Sequence, residues 1–139
     1  MVRQAGTDLE YLVLADSVLL LQTQDETIAI TDDREAQVGR QHRSAMDALP
    51  SGSPEHVAAH RAYIETLRGY RNRVGGFWVA SVDPAVATEA IVGLQPTEGL
   101  QSVLLLSDGA SRLVDRFDLT TWPGLVELVG LERPDAVID

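Results

Sequence analysis

The sequence predicts a mixed α+β domain, and three observations carry that prediction. Residues 9–31 hold three short apolar runs separated by polar turns, the mark of neighbouring strands. Residues 33–72 instead carry two helix-start signals and apolar residues near helical spacing. Further on, Val103-Leu104-Leu105-Leu106-Ser107-Asp108-Gly109 joins four consecutive apolar residues to an Asp-Gly pair and a helix-like segment.

In chain order, Gly6-Thr7-Asp8 reads as a hairpin turn, with only Met1–Gln4 before it as a partner strand. Glu10–Ala15, Ser17–Gln22 and Thr27–Thr31 read as strands, the last two joined by the polar turn Gln24-Asp25-Glu26. Asp32 fits a helix N-cap with Glu35 as its capping-box partner, which starts a helix running to about Leu49. Ser53-Pro54-Glu55 is a second start: a cap, a proline at the first helical position and an acid in the first turn. That helix reaches Asn72. Gly75-Gly76 turns the chain, and Phe77–Ser81 reads as a short strand. Pro84–Ala90 reads as a helical turn, while Ile91–Leu94 fits either element. Val103–Leu106 reads as a strand buried on both faces, followed by a helix over Ala110–Asp115. Trp122-Pro123-Gly124 interrupts before a last helical piece, Leu125–Leu131. The organisation is one domain over 1–139: strands over 9–31, a helical pair over 33–72, and strands with helices over 76–139. The short first strand and the lack of an ending signal at Ile138-Asp139 predict part of a larger sheet structure.

Composition narrows the function classes. The chain has 139 residues, 45% of them apolar, which suffices for a packed core. Its net charge of −10 argues against nucleic acid, whose phosphates demand basic surface, and against anionic membranes. With no cysteine, thiolate chemistry, disulfides and Cys-based zinc sites are excluded. No apolar run approaches the roughly 20 residues of a membrane-spanning helix, and the N-terminus lacks a signal-like core, so a cytoplasmic location is expected. All eleven basic residues are Arg, a trace of a GC-rich, bacterial genome. Residues 33–75 hold seven Arg and five acids, a net of +2 that leaves −12 for the rest. A solvated helix face accounts for this; an anionic partner is the alternative.

Three aspartate positions could carry chemistry: Asp108 in Ser107-Asp108-Gly109, Asp16 in Leu14-Ala15-Asp16-Ser17, and the Thr31-Asp32-Asp33-Arg34 segment. Each falls where an apolar strand ends. Carboxylates at neighbouring strand ends are the hard oxygen ligands that Mg²⁺ or Mn²⁺ takes. Singly, each Asp fits a turn or cap equally well. His56 and His60, four apart, could share a helix face but lack a third ligand. Ser107 has no flanking glycines of the nucleophile-elbow kind, and no Gly-rich phosphate loop is present.

These arrangements occur in the order they have in the metal-dependent serine/threonine phosphatases of type 2C, the PPM family. Leu14–Ser17 resembles that family's Gly-Asp-Ser turn, and Thr27–Arg34 its next strand and Thr-x-Asp-His segment. Gly76–Ser81 is similar to the strand entering its Ser-Arg motif, and Leu104–Gly109 resembles its aspartate-glycine motif. The resemblance, spanning Leu9 to Val129, implies a partial type 2C phosphatase-like β-sandwich flanked by helices. It implies a Mn²⁺ or Mg²⁺ site that hydrolyses phosphoserine or phosphothreonine through metal-activated water. By carry-over, Asp108 would ligate a core ion and Asp16 would approach a third, weaker one. Ala15 replaces the family's glycine, Val18 and Val82 stand where it has arginines, and Arg112 stands where an acidic ligand is frequent. Its Asp-Gly-x-Gly-Gly and terminal Asp-Asp or Asp-Asn motifs are missing from this sequence. The expectation is therefore a phosphatase fragment that is inactive as an isolated chain, with no complete catalytic or cofactor-binding set. The alternative is a non-catalytic interaction or regulatory module. A third possibility is a small α+β domain whose aspartates are turn residues. Expected partners are a phosphoprotein substrate or a regulatory protein, with homodimerisation through exposed strand edges.

Overall fold

The computed structural model describes residues 1–132. In chain order the elements are β1 (Val2–Ala5), β2 (Asp8–Val13), β3 (Val18–Thr23), β4 (Thr27–Thr31), α1 (Arg34–His42), α2 (Ser44–Asp47), α3 (Pro54–Tyr70), a 3-10 turn (Pro84–Glu89), β5 (Ile91–Pro96), β6 (Leu100–Leu106), α4 (Asp108–Asp115) and α5 (Trp122–Glu132). The protein is mixed α+β with two antiparallel sheets, and it divides into two compact units. One comprises Met1–Asp32 with the chain from Ile91 onward; the other is Asp33–Ala90. The final stretch of the predicted segment 76–139, including Ile138-Asp139, lies outside the described residues.

The first unit holds both sheets, ordered β1-β2-β5 and β4-β3-β6. Gly6, at φ +63°, turns β1 into β2, and the short first strand is the expected partner, paired from Val2↔Tyr11 to Ala5↔Asp8. After Val13 the chain leaves the first sheet, and Val18 starts the second. Period-two alternation then sorts side chains between two apolar clusters. Leu19 and Leu21 of β3 pack with Val13, Leu9, Tyr11 and Ile91, joining the inner faces of the two sheets. Val18 and Leu20 point the other way, onto Leu125 and Val126 of α5 and Leu113 of α4.

The strand buried on both faces is therefore β3 and not β6. Val18–Leu21 are all buried because β3 is central, with β4 and β6 on either side. β6 is an edge strand whose Leu105 is 59% exposed. A run of apolar residues does not tell which neighbours it will find, so the two runs read alike.

The second unit is mostly helical. Ser53 caps α3, its hydroxyl accepting from the His56 backbone N–H at 3.1 Å, as its Ser-Pro-Glu start predicts. Helices α1 and α2 pack on α3, where the rings of His42 and Tyr70 lie 5.1 Å apart. The predicted single helix to Leu49 is two, α1 and α2, and Asp33 stands at the N-cap instead of Asp32. Phe77–Ser81 is not a strand. Phe77 is buried, its N–H donates to the Tyr70 carbonyl and its carbonyl accepts from Asn72. The Asn72 side chain then accepts from Val79 N–H at 2.8 Å. Backbone that would join a ladder instead closes the C-terminal end of α3. Gly76 is required there, since a Cβ would collide with the Tyr70 carbonyl.

Candidate functional site

Strand register brings two of the predicted aspartates to one place. Val18 is the Cα partner of both Leu106 and Thr31. Asp16 lies two residues before Val18, and Asp108 two residues after Leu106, so both leave the same end of the second sheet on adjacent strands. Asp32 follows β4 at that end, but it is buried at 5% exposure and partnered. Asp33 serves α1, accepting from the Gln37 side chain at 2.8 Å. Among the described residues, no three His, Cys, Asp or Glu side chains are grouped so as to hold a metal ion.

Local structure explains each placement. Asp16 rides the turn between β2 and β3, which Ala15 makes possible by adopting φ +57°. That is the left-handed region, which glycine enters freely and an L-residue enters at a cost. Asp108 is the first residue of α4, with Ser107 as N-cap. An acid there is favoured by the positive end of the helix dipole. Ser111, buried within α4, donates its hydroxyl to the Asp108 carbonyl at 3.1 Å and steadies that first turn.

Electrostatics couples the two carboxylates. Asp16 is solvent-exposed by area, yet the surrounding protein removes enough water to push its carboxyl above the ordinary value of 3.8. The neighbouring Asp108 carboxylate is the next cause, and Asp115 adds a smaller push. A hydrogen bond from its own backbone and the charge of Arg112 act the other way. Arg112 also grips Asp108 directly. Its Nε donates to Oδ1 at 3.1 Å and its Nη2 to Oδ2. Sequence reasoning placed Arg112 only where an acidic ligand is frequent; the i,i+4 Asp–Arg spacing is the signal that could have found the pair.

The other predicted positions play local parts. His56 and His60 sit in the first half of α3, and Ser107 only starts α4. A separate cleft of about 450 Å³ in the second unit is lined by Arg34, Gln37, Gln41, Trp78 and Glu89. Arg34 is tied there to Glu89, its Nη1 3.1 Å from Oε2 and its Nη2 2.6 Å from the carbonyl.

No protein-family model, curated protein or solved structure matches the chain. No helix among the described residues is long and apolar enough to cross a membrane.

Proposed function

We propose that the chain is part of a cytoplasmic metal-dependent serine/threonine phosphatase domain of type 2C, and that by itself it does not hydrolyse phosphoesters. One observation supports this most: Asp16 and Asp108, drawn from two separate motifs, leave adjacent strands at the same sheet end. Their order and the two-sheet scaffold fit the type 2C resemblance. The residues present do not fit a dinuclear Mn²⁺ or Mg²⁺ centre. Two carboxylates are too few to hold two hard cations, and one of them is engaged by Arg112 on both oxygens. No catalytic step is therefore assigned to this chain.

The grip of Arg112 also favours a second reading, a phosphatase-like module that binds a phosphoprotein or a regulatory protein without turning it over. A phosphoserine or phosphothreonine peptide incubated with the chain in millimolar Mn²⁺ tests the first reading. The expected result is phosphate release no faster than the metal-only blank. Sustained Mn²⁺-dependent release, lost in Asp108→Ala, would refute inactivity and make the chain an enzyme.

A further inference from the structure

We infer that the Arg112 guanidinium holds the place a divalent cation would need at the Asp16–Asp108 sheet end, so that this corner is closed by an arginine and not by a metal. The inference rests on the phosphatase reading above only for its expectation of a metal; the closure itself follows from side-chain geometry. Arg112 lies one helical turn beyond Asp108 and contacts both of its carboxylate oxygens. Two parallel charge-assisted bonds are the strongest form this pair takes. Asp before Arg at i,i+4 in the first turn of a helix is also the favoured order, so α4 forms the closure with no help from elsewhere.

A Mg²⁺ or Mn²⁺ ion would need the same oxygen lone pairs and gives up its own water reluctantly. It would have to displace the guanidinium and then sit near its positive charge. The charge of Arg112 is felt by Asp16 as well as Asp108, so it opposes a cation at either carboxylate. The remaining nearby acid, Asp115, is felt only weakly at Asp16.

The test is a titration of the full chain with Mn²⁺ alone, read by the electron paramagnetic resonance of free Mn²⁺. Arg112→Gln keeps a good helix former and removes the charge. Taking away one unit charge near a doubly charged ion, even in water-like screening, predicts roughly tenfold tighter Mn²⁺ binding. Adding Asp108→Asn to Arg112→Gln should abolish the gain. Arg43→Gln, which breaks another i,i+4 Arg–Asp pair (Arg43 with Asp47), should produce none. No gain in Arg112→Gln, or an equal gain in Arg43→Gln, would overturn the inference. A second measurement needs no variant to fold: in the wild-type chain, sub-millimolar Mn²⁺ should leave the Asp16 and Asp108 amide resonances unbroadened, and selective broadening there would overturn the inference. Neither measurement depends on turnover. A failure here with no hydrolysis therefore removes the arginine closure and leaves the phosphatase reading standing.

Discussion

Ala15 is an alanine held where a glycine belongs, and replacing it should stabilise the protein. Its φ of +57° places it in the left-handed region, at the turn that carries the chain from the first sheet to the second and presents Asp16. For an L-residue that conformation costs about 1–2 kcal/mol, because Cβ crowds the following carbonyl. Glycine removes the clash but adds roughly 0.5–1 kcal/mol of unfolded-state freedom to be lost on folding. Ala15→Gly should therefore gain about 0.5–1 kcal/mol, or about 3 °C in Tm for a cooperative unit of this size. The assay is urea unfolding followed by Trp122, which packs against the Val18–Leu20–Leu125–Val126 cluster of the first unit. A Trp78→Phe background removes the signal from the second unit. The midpoint should rise with the slope unchanged. An unchanged or lower midpoint at the same slope would refute the claim that this turn is strained. Ala15→Val, which puts a β-branched residue at the same φ, should move the midpoint the other way.

Two further predictions concern the same unit. Because the folded-state pKa of Asp16 is raised above its unfolded value, the native state holds the extra proton between the two. Stability from this group is therefore full below the unfolded value of about 3.8 and is lost as pH rises through the higher folded value. Asp16→Asn should be more stable than wild type at pH 7 and should lack this decline, as thermal melts from pH 3 to 7 would reveal; a variant less stable at pH 7 would contradict the assignment. Edge strands β5 and β6 expose Val92, Leu94 and Leu105, so two copies should associate through them, and sedimentation showing a monomer at 100 times the lowest loading concentration would rule that out.

Local chemistry was legible wherever a few neighbouring residues decide the outcome. Ser53-Pro54-Glu55 starts α3, Gly6 turns β1 into β2, and Asp25-Glu26 separate β3 from β4. The two Asp positions at strand ends could be picked out because a run of apolar residues stops at each. Asp32 was misplaced as a cap because it and Asp33 are chemically identical neighbours, and only burial of the first tells them apart. Phe77–Ser81 misled for a similar reason. A short apolar run signals burial, and Phe77 is buried, but the backbone partner it finds is the end of α3 and not a strand.

By itself the sequence determined an acidic, cysteine-free α+β chain with strands first, a helical middle, further strand and helix after it, and aspartates where strands stop. Those features follow from side-chain periodicity and from caps and turns that act over a few residues. Only the tertiary structure decided that β3, and not β6 with the same Val-Leu-Leu-Leu run, is the central strand, because centrality depends on pairings between residues some 80 positions apart. The same pairing carried Asp16 to Asp108, and the helix that follows turned Arg112 back onto Asp108. A carboxylate that the sequence offers as a ligand is thereby held by an internal cation, an outcome set by the geometry of one helical turn at the end of one sheet.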